Sequence, residues 1–206
     1  MPSREYYDSN SPQLTAYYKL MVDVAILLGA KKELALIEMN ETLSFERQLA
    51  LITIPSEQRR NYTAIYRKVM LDELSNELSD IDWIKYLDIL MSPAKVNATE
   101  EPVIVYATSY FVNLTTLLRT TPKKTVANYI FWRFVYNRIG NLDKRFLEVQ
   151  QTYFKSLYGT QQRADRWKTC VVYVNKNMGM AVGALFVRKH FNEQSKERVS
   201  ITSRLG

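Results

Sequence analysis

The sequence predicts an all-α protein, six to eight helices packed as one layered bundle. Three observations carry that expectation. Apolar residues recur at helical spacing along nearly the whole chain. Gly and Pro are few, six of each among 206 residues, and several of them stand where an apolar run stops. Only VIVY, residues 103–106, has the β-branched and aromatic makeup of a strand. At this length a single domain, residues 1–206, can bury an adequate core.

Taken in order, Tyr17, Leu20, Met21, Val24, Leu27 and Leu28 follow the i, i+3, i+4, i+7 pattern, and Gly29 supplies a stop. A second helix spans residues 31–52 and is ended by Pro55. Ser56, with Glu57 behind it, caps a segment running to about Leu78. Asp80 caps a short helix carrying Trp83, Leu87 and Leu90, which Pro93 closes. The extended run after Pro102 is too short to imply a sheet. Thr121-Pro122 reads as a helix start, Thr as cap and Pro at the first helical position, and that helix reaches Tyr158 before Gly159 breaks it. Within it YIFWRFVY, residues 129–136, is apolar on more than one face, which predicts burial among other helices. A last helix covers residues 167–191.

Composition bounds the function. Hydrophobic residues at 47% and charged ones at 24% are globular values, without low-complexity tracts. These residues hold no run of about 18 apolar positions and no basic n-region followed by an apolar h-region, hence no membrane span and no signal segment. The net charge of +7 would suit an acidic partner, yet the basic residues are scattered as Lys31/Lys32, Arg59/Arg60, Lys123/Lys124 and Arg188/Lys189, the pattern of a solvated surface. Without zinc-knuckle spacing, an RNA-reading aromatic signature or basic-region heptads, no nucleic-acid partner is expected.

The chain has one cysteine and one histidine, both in the last helix. Trp167, Cys170, Val171, Val174, Met178, Ala181, Val182 and Leu185 keep helical phase through Gly179, which predicts one continuous helix. Cys170 and His190 would then stand roughly 30 Å apart and about 200° around the axis. A nucleophile and its base need hydrogen-bond reach, so the pair is excluded as a catalytic couple. Zinc fails on ligand count, since no HExxH occurs and a catalytic zinc needs three protein ligands. His190 and Glu193 share a face at i, i+3 and could hold a stray ion, but an ordinary surface histidine near a helix C-terminus is favoured. Cys170 is either a buried small hydrophobe on the apolar stripe or half of a disulfide whose partner lies outside this chain. No catalytic residue, metal ligand or cofactor is assigned in these residues. The acidic pairs Asp80/Asp82 and Glu100/Glu101 read as helix-start and loop residues rather than as an acid/base couple.

Four N-x-[ST] sequons occur, at Asn40, Asn61, Asn97 and Asn113. About 1.6 are expected by chance, a mild excess that supports a secretory history. Asn97, between Pro93 and Pro102, is the best loop candidate.

Several stretches together resemble the neprilysin and endothelin-converting enzyme family of zinc metallopeptidases, family M13. They are PSREYY (2–7), AYYKLMVDVAILLGA (16–30), IDWIKYL (81–87), VNATEEPVIVY (96–106), ANYIFWRFV (127–135), LYGT (157–160), RWKTCVVYVNKNMGMAVGALFV (166–187) and HFNEQSKE (190–197). The resemblance implies part of the smaller helical lobe of a two-lobed peptidase, the N-terminal lobe that covers a peptide-sized chamber and limits what enters. In that family the other lobe carries HExxH, the zinc and the substrate-binding NAxY motif, so the implied partners are a catalytic lobe outside these residues and oligopeptide substrates. An extracellular or cell-surface ectodomain is implied too, as is pairing of Cys170 with an upstream cysteine. Met1 stands where the family has an ordinary internal residue, and VSITSRLG turns polar where a helix would continue. A chain cut at both ends, inactive alone, is therefore expected. The alternative is a freestanding helical module that binds peptides or proteins, derived from an inactive paralogue.

Overall fold

The computed structural model describes residues 4–7, 11–97, 99–100, 102–159 and 165–191. It forms two compact units, Met1–Thr160 and Gln161–Gly206. In the first, a 3-10 turn (Arg4–Tyr7) precedes α1 (Pro12–Leu27) and α2 (Lys32–Ile52). A 3-10 turn (Gln58–Arg60), α3 (Tyr62–Ile65), β1 (Tyr66–Met70), α4 (Leu71–Glu77), α5 (Trp83–Met91) and β2 (Pro102–Tyr106) follow. Then come α6 (Thr108–Thr120), α7 (Lys123–Arg138), a 3-10 turn (Ile139–Asn141) and α8 (Lys144–Tyr158). The second unit holds α9 (Arg166–Asn177) and α10 (Gly179–His190). The chain is thus mostly helical, with ten α-helices among the described residues where six to eight are expected. The excess includes α3 and α4, of four and seven residues.

α1 begins five residues before its apolar pattern does, because Ser11 accepts a hydrogen bond from the Leu14 amide and Pro12 takes the first helical position. Gly29 ends it at φ +103°, with nothing within 4 Å of where a Cβ would sit. Gly29→Ala is therefore expected to cost about 1–2 kcal/mol through backbone strain alone, read as a lowered urea midpoint.

Two local expectations fail here. Residues 56–78 do not form one helix, because Tyr66–Met70 pairs antiparallel with β2 in the register Tyr66↔Tyr106, Arg67↔Val105 and Val69↔Val103. A five-residue run fits either period, and the partner strand decides it. The sheet also gives the VIVY run a partner that its length alone does not imply. The 121–158 helix is likewise two helices, since the Ile139–Asn141 turn intervenes and Asp143 caps α8 by accepting from the Arg145 amide at 2.9 Å. Thr121 closes α6 instead of opening α7, its hydroxyl donating to the Leu117 carbonyl at 2.7 Å. Asp82, not Asp80, caps α5, accepting from the Lys85 amide at 3.0 Å.

The main core joins Leu14, Tyr17, Leu20, Met21 and Val24 of α1 to Leu43 of α2, Trp132 of α7, Ile139, and Phe146, Tyr153 and Leu157 of α8. A second cluster gathers Val69, Leu71, Leu74, Leu78, Trp83 and Val105 around the two-stranded sheet. α1 lies between α8 and α2, and α2 packs on α7. Among the described residues no single helix is long and apolar enough to cross a membrane.

Candidate functional site

α9 and α10 are bent by 99° at Met178. This corrects the continuous helix predicted for residues 167–191: apolar phase runs unbroken through Gly179 while the backbone does not, because phase records only spacing. With arms of eight and twelve residues at 1.5 Å rise, the bend still leaves Cys170 and His190 roughly 20 Å apart. The two remain out of hydrogen-bond reach. Cys170 is exposed, which overturns its reading as a buried hydrophobe. His190 sits at the end of α10 beside Arg188 and Lys189, its ring 5.2 Å from that of Phe186. Its i, i+3 neighbour Glu193 lies outside the described residues. No three His, Cys, Asp or Glu side chains among the described residues converge as a metal site. The described residues therefore do not supply a site for the zinc that the resemblance implies.

The acidic pair Asp80/Asp82 is accounted for structurally. Asp82 is the α5 cap, and Asp80 forms an ion pair with Arg119. Glu101 lies outside the described residues.

The four sequons are not equivalent. In the loop after α5, Asn97 accepts from both the Thr99 amide at 3.2 Å and the Thr99 hydroxyl at 3.0 Å. Asn61 caps α3, accepting from the Ala64 amide at 3.3 Å. Asn40 and Asn113 are exposed within α2 and α6, but the hydroxyl residue of each sequon faces inward. Thr42 is fully buried and donates to the Glu38 carbonyl, and buried Thr115 donates to the Val112 carbonyl.

The structure also brings together residues that sequence reasoning did not single out. Glu46 of α2 is 3% exposed and accepts hydrogen bonds from Tyr7 at 2.6 Å, from Tyr17 at 3.0 Å and from Arg133 at 3.3 Å. The Tyr17 hydroxyl in turn accepts from the Trp132 indole N–H at 2.7 Å. One carboxylate thus pins the N-terminal turn, α1 and α7 onto α2. Burial, then the Glu46 charge, pushes the Tyr7 and Tyr17 phenols well above their ordinary range, so both stay protonated donors. In the sequence Glu46 is one of four glutamates of α2, indistinguishable there from a surface residue.

α7 shows a second feature. Trp132 is buried, while Tyr129, Val135 and Tyr136 are half-buried. Ile130, Phe131 and Phe134 are 61%, 69% and 63% exposed. The expected burial of YIFWRFVY among other helices is thus corrected: one face packs against the core, and the other is an apolar stripe open to solvent in this chain. Three large apolar side chains one turn apart on a single face form the kind of contiguous patch that marks an interaction surface.

The sequence profile of peptidase family M13 matches residues 1–202. Membrane metallo-endopeptidase-like 1 from Mus musculus is 39% identical over 211 residues, covering 97% of this chain and 28% of the relative. Endothelin-converting enzyme 1 from Homo sapiens is 37% identical over 201 residues, covering 95% and 26%. The fold is similar to that of the zinc metalloprotease ZMP1 of Mycobacterium tuberculosis in its open state, with TM-score 0.85 and 25% identity over 97% of this chain and 31% of that one. The chain thus spans about a quarter of the length of these curated relatives, and over that span it belongs to peptidase family M13, as part of the family's helical N-terminal region.

Proposed function

We propose that these residues form a non-catalytic segment of the N-terminal lobe of a neprilysin-like zinc metalloendopeptidase, one that covers the peptide chamber and limits the size of what enters. Zinc and the groups that activate water belong, on this reading, to a catalytic lobe outside residues 1–206, and oligopeptides are the substrates. The observation that carries it is the open stripe Ile130, Phe131 and Phe134 on α7, whose other face packs against the core through Trp132, Val135 and Tyr136. In a family whose named relatives are peptidases several times longer than this chain, the natural cover for that stripe is the rest of the peptidase. The test is a chimaera: the mouse relative carrying residues 1–206 in place of its matching segment, assayed on short peptides and on folded proteins. Chelator-sensitive cleavage of the peptides, with folded proteins refused, supports the reading. Cleavage of both classes alike overturns size restriction. Chelator-sensitive turnover by residues 1–206 alone would contradict a non-catalytic role.

An extracellular or cell-surface setting belongs to the same proposal, as does pairing of exposed Cys170 with a cysteine outside these residues. Asn97 is the sequon whose geometry favours glycan addition, since its threonine already bonds its side chain in a loop. Secretion from a eukaryotic host should give an endoglycosidase-sensitive band that shifts in Asn97→Gln and is retained in Asn40→Gln and Asn113→Gln.

A further inference from the structure

We propose that the cavity bounded by the N-terminal turn, the end of α2 and the middle of α7 binds a phosphate-sized oxyanion. It measures about 290 Å³, and Arg4, Arg59 and Arg133 line it with Tyr7, Tyr110 and Tyr129 among them. The one acid in its lining, Glu46, is already engaged by Tyr7 at 2.6 Å and Arg133 at 3.3 Å. Three guanidiniums therefore face a single compensated carboxylate.

Backbone carbonyls anchor two of those guanidiniums. Arg4 Nη1 donates to the Thr53 carbonyl at 3.0 Å, and Arg59 Nε donates to the Ile54 carbonyl at 2.8 Å. Two cations from separate turns are thus anchored on consecutive residues of one loop, with no carboxylate bonded to either among the described residues. Two guanidiniums in one lining without a bonded carboxylate give that concavity a positive potential that attracts an anion. Each guanidinium carries five N–H donors and spends one on its anchor, so the remainder are available to a ligand. The planar forks match the oxygens of a phosphate group in pairs. Burial holds the Tyr129 phenol above its ordinary range, which keeps it a neutral donor, while the Tyr7 hydroxyl is already donated to Glu46. A cation would be repelled, and an apolar ligand would strand the donors. The volume, near the lower end for ligand pockets, suits a small ion with a few waters. The adjoining concavity shares Arg4 and Tyr7 and adds Arg47, with Glu5 and Glu57 also in its lining.

The same chemistry is offered by inorganic phosphate and by a phosphate monoester. Both are to be titrated into the full 206-residue chain at fixed ionic strength, by calorimetry and by thermal melting, with phenyl phosphate as the monoester and potassium chloride as control. The expected result is saturable binding and a Tm increase that chloride does not reproduce, weakened at least tenfold in Arg59→Gln and in Arg4→Gln. Arg59 is exposed, so Arg59→Gln should melt like the parent chain without phosphate, which separates lost binding from lost folding. Tighter binding of phenyl phosphate assigns a monoester and exclusive binding of inorganic phosphate assigns the free ion, both within the proposal. Absence of any phosphate-specific signal, or unchanged affinity in the Arg4→Gln/Arg59→Gln double variant, overturns it.

Discussion

Glu46→Ala is expected to destabilise the first unit by about 3–5 kcal/mol, from hydrogen-bond partners left unsatisfied at about 1–3 kcal/mol for each buried group together with the lost half-buried ion pair to Arg133. The substitution strands the Tyr7 and Tyr17 hydroxyls and the Arg133 guanidinium together, and Tyr17 is fully buried. In a unit of this size each kcal/mol moves Tm by roughly 2–4 °C, so a fall of about 6–20 °C should appear in a thermal melt. Lys124→Ala offers the contrast: its 2.5 Å contact with Glu38 joins an ammonium 69% exposed to solvent, and its loss should barely register. The same network sets an alkaline limit. Because the folded-state pKa values of Tyr7 and Tyr17 lie above the ordinary phenol value of 10.0, their contribution is complete below about pH 10 and is lost as pH rises beyond it. Urea midpoints at pH 8 and pH 11 should differ by more in the parent chain than in Tyr7→Phe.

Phe131→Asp combined with Phe134→Asp is expected to leave this chain intact and to disable the chimaeric peptidase. Both side chains are more than 60% exposed here, and surface changes of this kind stay within about 0.5 kcal/mol. Once the stripe is covered, each carboxylate must be buried unpaired, at several kcal/mol apiece. Peptide cleavage by the chimaera should therefore fall by at least tenfold while the isolated variant melts like its parent. Equal activity with and without the two substitutions would mean that nothing presses on α7.

How much of this was legible in the sequence follows from the range of the interactions involved. α1, α2 and the αL stop at Gly159 could be read because periodicity and caps are local. The break at Ile139–Asn141 had a local signal as well, Gly140 and the capping Asp143, which an apolar pattern continuing on both sides outweighed. β1 had none, since a five-residue run acquires its period from β2, some 36 residues on. The bend between α9 and α10 was hidden for a different reason: apolar spacing survives a change of axis. Glu46 was invisible because its role rests on Tyr7, Tyr17 and Arg133, which are distant in sequence and close only in the fold. The family resemblance could be read directly, since it needs ordered motifs and no geometry at all.

If these residues are one lobe of a larger peptidase, the open face of α7 is covered in the assembled enzyme. The direct test is the labelling rate of the thiol introduced by Phe131→Cys, in a Cys170→Ser background, compared between the 206-residue chain and the chimaera. Protection of at least tenfold in the chimaera is the predicted result, and equal rates in the two would contradict it.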